Sequence, residues 1–374
     1  MSWQQSTLGE ECELYQPQTL AKNELDKSGV YKVYGANGVI GTHSKFNHED
    51  PQLLVTCRGA TCGTINISEA KSWINGNAMV VKPRSSNIDL YFLSHYLHHL
   101  DISKAITGAA QPQITRQSLA PIKIQFPPLA QQQRIATVLE KAAEIKAKRE
   151  QAIAKLDELA QSAFVEMFGD PIKNSKGWEI VQLEKIANIG SSKRVFVEEL
   201  TETGVPFYRG TEIGALGAGE LIEPSLFISK AHYERLKLEG GVPKKGDLLL
   251  PSICQDGRIY LVEDDNQFYF KDGRVLWIGL AGEDVNPYFL RGLLKEIFAK
   301  NYSKIASGTT FAELKIFALK QLSVIKPPSM LQSKYGDFIK SLNAEYKKLD
   351  KDLRKLKELI ASLQHQAFTT GFNA

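Results

Sequence analysis

The stretch "FPPLAQQQRIATVLEK", residues Phe126 to Lys141, decides how the rest of the chain is read. A strand-like run stops at two prolines, three glutamines follow, and a long helical pattern begins. "KPPSMLQSKYGDFIKS", Lys326 to Ser341, repeats that gateway in altered form. Setting Pro127-Pro128 on Pro327-Pro328 gives an offset of 200 residues that holds without a gap. Gly108 falls on Gly308, Leu119 on Leu319, Leu156 on Leu356, Leu159 on Leu359 and Ser162 on Ser362. Self-similarity at a fixed separation changes the whole fold assignment, so it is settled before any single element.

Upstream the match continues with a changed offset. "LYFLSHYL" (Leu90 to Leu97) resembles "PYFLRGLL" (Pro287 to Leu294), and "NGNAMVVKP" from Asn75 resembles "DGRVLWIGL" from Asp272. Trp3-x4-Leu8 answers Trp178-x4-Leu183, now 175 residues apart, so the second copy carries 25 extra residues before its junction. The globular parts read as strands and turns. "VYKVYGANGVIG" (Val30 to Gly41) alternates apolar residues around the Asn37-Gly38 turn signal. "LLVTCRGATCGTINI" (Leu53 to Ile67) and "GDLLLPSICQDGRIYLV" (Gly246 to Val262) each predict two strands around a glycine-bearing turn. A helix is expected near Asp89 to Leu100 and another near Pro287 to Lys300.

The segments after the prolines differ in kind. From Ile339 the apolar residues Ile339, Leu342, Tyr346, Leu349, Leu353, Leu356, Ile360 and Leu363 recur at spacings of three and four. That is a heptad seam. The first copy gives Leu139, Ala142, Lys146, Arg149, Ile153, Leu156, Ala160 and Ala163, with Lys146 and Arg149 interrupting, and Ile135, Val138, Ile145 and Ala152 form a neighbouring line. The first helix is expected to end at "MFGDP", where Gly169 takes the left-handed cap and Pro171 blocks continuation. Neither helix can bury its stripe alone, so each is expected to pack on the other, antiparallel. The fold class is therefore α+β: two domains with substantial β-sheet, separated and followed by two long helices pairing as an antiparallel coiled coil, a pseudo-two-fold repeat. The expected divisions are 1–127, 128–172, 173–327 and 328–374.

A chain of 374 residues suffices for two domains plus extra helix, and 43% apolar with 24% charged residues is a soluble globular composition. No apolar run reaches the ~18 residues of a membrane span, and "MSWQQSTLGEECELYQ" lacks a signal peptide's apolar core, so a cytoplasmic location is expected. Cys12, Cys57, Cys62 and Cys254 show no disulfide spacing, and Cys57-x4-Cys62 has no second Cys/His pair to complete a zinc tetrad. The net charge of +4 permits a nucleic-acid binder without announcing one.

"FPPLAQQQRIATVLEK…LDELAQSAFVEMFGDP…GW" resembles the conserved helical region of specificity subunits of type I restriction–modification systems. "VYGANGVIG" and "GDLLLPSICQDGRIYLV" resemble segments of their target-recognition domains. The resemblance covers essentially the whole chain in the family's order, and departs from it at "PPSMLQSKYGDFI", which has lost the glutamine run. It implies that each recognition domain reads one segment of a bipartite, asymmetric site in double-stranded DNA. It further implies that the helices hold the domains apart and dock two methyltransferase subunits, and through them restriction subunits. Gln131, Gln132, Gln133 and Arg134 are the expected docking residues. No cofactor is expected in this chain; S-adenosylmethionine belongs to the methyltransferase partner, and ATP and Mg to the restriction partner.

Base edges are read by Arg, Lys, Asn or Gln forks, and phosphates by cations and small hydroxyls. In the first domain the candidates are Arg58 beside Gly59, Asn75 and Asn77 flanking Gly76, and Gln111, Gln113 and Arg116 leading to the junction. By position the second domain offers Gln255 and Arg258, then Lys271 and Arg274, then Thr309 and Lys315, with Tyr208 and Arg209 in "FYRG". The bland alternative for each is a solvated turn residue.

Three patterns mimic catalytic or metal sites. "NPYF" (Asn286 to Phe289) has one proline too few for an amino-methyltransferase motif, and Pro287 suits the first turn of a helix. "HYLHH" puts His95 and His99 on one helix face but lacks a third ligand. Glu313-x-Lys315 is half of a nuclease set, without a Walker loop or helicase motif, and Glu144-x-Lys146 shows how common the triplet is. No catalytic constellation is found, so the expectation is a non-catalytic subunit. The alternatives are a nuclease or methyltransferase with a disguised site, and a coiled-coil scaffold or adaptor without sequence-specific DNA binding.

Overall fold

Lys123–Phe126 alternates exposed and buried side chains and pairs antiparallel with Gln4–Thr7, so the run before the first prolines is a strand. Ser323–Lys326 pairs antiparallel with Glu179–Gln182 before the second pair, here with Val324 and Ile325 both buried. In the computed structural model, which describes residues 3–108, 111–280, 282, 284–308 and 312–369, the chain divides into two units. One holds the residues up to Glu150 with those from Lys351 onward; the other is Gln151–Asp350.

In the first unit a four-stranded antiparallel sheet runs in the order Cys12–Tyr15, Ala78–Pro83, Leu53–Thr56, Ile65–Ile67. The second unit repeats that order with Asn188–Gly190, Val275–Gly279, Leu248–Pro251 and Tyr260–Leu261. The central strands read LLVT and LLLP and are buried along their whole length, because one face meets a helix and the other a second, smaller sheet's core. The smaller sheet of the first unit contains the hairpin Tyr31–Gly35 and Gly38–His43, with Gly38 at φ +88 in its turn, as the Asn-Gly signal predicts. In the second unit the corresponding sheet is built from Leu200–Thr201, Phe227–Ile228, Val205–Tyr208 and Tyr269–Phe270. Extra length there becomes the helices Gly210–Gly217 and Lys230–Gly240.

Helix Leu90–His99 is capped by Asp89, whose side chain accepts from Phe92 N. Its counterpart, Pro287–Ile305, runs a turn further than the sequence suggests, and Asn286 Oδ1 accepts from Tyr288 N and Phe289 N. "NPYF" is thus a helix start. His98 Nδ1 donates to the Ser94 carbonyl and His99 lies 5.1 Å from the Phe368 ring, so the histidine-rich turn belongs to helix packing.

The long helices are Leu129–Phe168 and Ser329–Thr369. Every seam position from Leu139 to Ala163, and from Ile339 to Leu363, is buried or half-buried. Of the neighbouring line, Ile135 is buried but Ile145 is 46% exposed. In the first unit Ile135, Ala136 and Leu139 share a core with Leu363, Ala367 and Phe368, so the start of one helix meets the end of the other. In the second unit Ala160, Ala163, Phe164 and Phe168 share a core with Tyr335, Ile339 and Leu342, again end to start. The pairing is antiparallel in each. Where Lys146 and Arg149 interrupt the seam, Arg149 Nη1 lies 3.3 Å from Asp352 Oδ2 and Lys357 Nζ 3.5 Å from Glu150 Oε1. The first helix ends as expected: Gly169 has φ +76 and its N–H bonds the Val165 carbonyl, while Trp178 Nε1 donates to the Phe168 carbonyl. Among the described residues no helix is long and apolar enough to cross a membrane.

Candidate nucleic-acid interface

The central strand of each large sheet ends where two other stretches arrive. In the first unit Cys57 N donates to the Asn77 carbonyl at 3.2 Å, and Ile114 N to the Cys57 carbonyl at 2.9 Å. In the second, Ser252 N donates to the Arg274 carbonyl at 2.9 Å, and Leu314 N to the Ser252 carbonyl at 2.7 Å. The backbone junction is the same; the side chains it presents differ. A glycine of positive φ precedes each junction. Gly108 and Gly308 have φ +86 and +116, and a Cβ on Gly108 would lie 2.5 Å from the Gln111 carbonyl oxygen. Thr107 bridges Gln113, and Ser307 bridges Glu313, each through two backbone hydrogen bonds.

Arg58, Asn77 and Gln113 are therefore brought together, all exposed, with Arg58 and Gln113 on one backbone bridge. Gln111 and Arg116 flank them, exposed, Arg116 opening the short helix Arg116–Leu119. Asn75 is displaced from this set. It is 4% exposed and its Nδ2 donates to the Leu20 carbonyl at 3.0 Å, so it braces a loop instead of facing solvent.

In the second unit the residue meeting the junction where Asn77 does is Arg274, and Lys315 follows Leu314. Arg274 Nη1 lies 2.8 Å from Glu313 Oε1, and Lys315 Nζ 2.6 Å from Glu313 Oε2. The two cations hold the Glu313 carboxyl below the usual range, Lys315 contributing most through its hydrogen bond. In the sequence Glu313 stands out only as part of a nuclease-like triplet with Lys315. The 200-residue register, which lays it on Gln113, was the available signal.

The remaining second-unit candidates lie elsewhere. Gln255 and Arg258 sit in the loop between Leu248–Pro251 and Tyr260–Leu261, and Arg258 pairs with Asp256. That loop borders a cleft of about 830 Å³ whose wall carries Arg291 and Lys295. Lys295 keeps exposed surface in the cleft yet is walled by protein, and burial, with Arg291 one turn away, brings its ammonium down to about 8. Lys271 N donates to the Tyr208 carbonyl, and Tyr208 packs 5.4 Å from the Phe268 ring. Arg209 precedes helix Gly210–Gly217 and grips Glu212. Burial raises that carboxyl, but hydrogen bonds from Arg209 and Thr211 outweigh it and hold it at about 2. Thr309 lies outside the described residues.

The glutamine run divides by burial. Gln133 and Arg134 are exposed and Gln131 is half-buried. Gln132 is 0% exposed: its Oε1 accepts from Asp89 N at 2.9 Å, and its Nε2 donates to the Pro127 and Asn87 carbonyls, each at 2.8 Å. It cannot meet a partner protein, because its amide is saturated inside its own unit. Gln332 is its counterpart, 1% exposed, accepting from Asn286 N at 3.0 Å and donating to the Pro327 carbonyl at 2.8 Å. The second junction has lost the run but kept the glutamine that latches it.

The sequence model of the type I restriction modification DNA specificity domain matches residues 1–156 and 175–358, so the chain belongs to this family. A putative type I restriction enzyme specificity subunit of Haemophilus influenzae is 25% identical over 316 residues, 82% of this chain and 78% of that one. A type I restriction enzyme specificity subunit of Methanocaldococcus jannaschii is 24% identical over 348 residues, 86% of this chain and 80% of its own. The crystal structure of the type I restriction–modification S subunit from M. genitalium superposes with a TM-score of 0.68 at 18% identity, covering 98% of this chain and 96% of the other; that likeness establishes the fold. The family's role is DNA sequence specificity, and its members are the non-catalytic component of restriction–modification systems.

Proposed function

We propose that the chain reads a split, asymmetric site in double-stranded DNA, one part with each unit, as the specificity subunit of a type I complex in the cytoplasm. Two methyltransferase subunits dock on the long helices, and restriction subunits join through them. S-adenosylmethionine is then held by the methyltransferase, and ATP and Mg by the restriction partner. The observation that carries this is the duplicated junction. One backbone arrangement presents Arg58, Asn77 and Gln113 in the first unit but Arg274, Glu313 and Lys315 in the second. Equal scaffolds with unequal side chains suit two different half-sites. Gln111 and Arg116 flank the first set, and the separate loops with Tyr208, Arg209, Gln255, Arg258 and Lys271 add further phosphate or base contacts.

The test is to map methylated bases after combining the chain with its modification partner. Asn77→Ala or Arg58→Ala should relax one half-site by roughly 1–3 kcal/mol per lost base contact. Arg274→Ala should relax only the other. If variants in both units relax the same positions, the modular reading is wrong.

A further inference from the structure

At the two matched junctions one difference is of charge and not only of shape. The residue bridged to position 107 is the neutral Gln113, whereas the residue bridged to position 307 is Glu313. Glu313 is the acidic group there, one oxygen on Arg274 and the other on Lys315, while both cations stay 65% and 59% exposed at their side chains. A carboxylate on a DNA-facing surface costs affinity, since it repels phosphates. Its placement between the two cations offsets that cost only if it improves discrimination.

We propose that Glu313 is a specificity-determining residue of the second unit, holding Arg274 and Lys315 off the phosphate backbone and presenting the guanidinium to a G·C base pair. The chemistry points to that pair from both sides. A guanidinium forks guanine O6 and N7, and a carboxylate accepts from the cytosine N4 amino group. With one N–H taken by Glu313, Arg274 keeps further donors in a plane fixed by that contact. Gln113, which can donate as well as accept, imposes no such demand on the first unit. This inference rests on the DNA-reading function proposed above.

The experiment combines methylation mapping with DNA binding over a range of salt, for the chain with its modification partner. Glu313→Gln should lose roughly tenfold discrimination at one G·C position of the second half-site, the first half-site staying unchanged. It should also bind non-cognate DNA more tightly, with a log–log salt slope steeper by up to about 2, as two freed cations displace counterions. Arg274→Lys keeps the charge and loses the fork, so it should lose the same base preference without a steeper slope. An unchanged second half-site in Glu313→Gln overturns the proposal, as does relaxation of the first half-site or an unaltered salt slope. If the unsubstituted complex methylates no split site, the underlying function fails instead.

Discussion

At the scale of single residues, burial separates side chains that look alike in the sequence. Gln132 is enclosed and Gln133, its neighbour, is exposed, because one points along the helix face covered by Asp89 and Pro127 and the other away from it. Replacing Gln132 or Gln332 with Ala strands a buried N–H and a buried carbonyl, so each should cost roughly 1–3 kcal/mol. Denaturant titration should show a lower midpoint with an unchanged slope, while Gln133→Ala stays within about 0.5 kcal/mol of the parent. Equal losses for Gln132 and Gln133 would refute the latch. Asn75 teaches the same lesson: its flanking glycine suggests an open loop, but a carbonyl 55 residues away claims its amide.

Among elements, the gateway is the best-defined feature. Residues 131–140 and 331–340 show the same alternation of buried and exposed positions, although few of their residue types agree. Pro127 and Pro327 end each strand and give up a carbonyl to the latch glutamine, which ties the helix start to the caps of Leu90–His99 and Pro287–Ile305. In the second unit helix Pro287–Ile305 lies close to the long ones. A Cβ on Gly292 would meet Tyr335 Oη at 2.8 Å and Phe164 Cδ2 at 3.1 Å, and Tyr335 itself lies 5.6 Å from the Phe164 ring. Gly292→Ala should therefore destabilise the second unit by roughly 1–3 kcal/mol despite improving helix propensity. A gain in thermal stability would show that these rings yield without cost. Both helices are legible in the sequence but this contact is not, since glycine inside a helix carries no sign of what approaches it.

For the whole molecule, each long helix contributes its two ends to different units: Leu129–Phe168 crosses from one to the other at Glu150, and Ser329–Thr369 crosses back at Asp350. If the paired helices set the distance between half-sites, one heptad inserted after Ala152 and another after Asp352 preserves the seam's phase and adds about 10 Å. The spacer should lengthen by roughly three base pairs while both half-sites keep their sequence. A folded, methylating variant with the original spacer would show that the helices are not the ruler.

The sequence by itself determined the duplication, the α+β class, the heptad seam and the places where strands give way to helices. These features are written in periods of two, three and four residues and in a register of 200, which need no knowledge of distant contacts. Only the tertiary structure decided which polar side chains meet. Arg274 and Glu313 are 39 residues apart in the chain, and Cys57, Asn77 and Ile114 come from three separate stretches. Their meeting depends on strand register and on the path of the loops between strands. Gln255, Arg258 and Asn75 were candidates by residue type and turn position, and the structure lines one cleft with the first two and buries the third. Residue type states what a side chain can bond to; the long-range packing of the sheet and helices decides what it reaches.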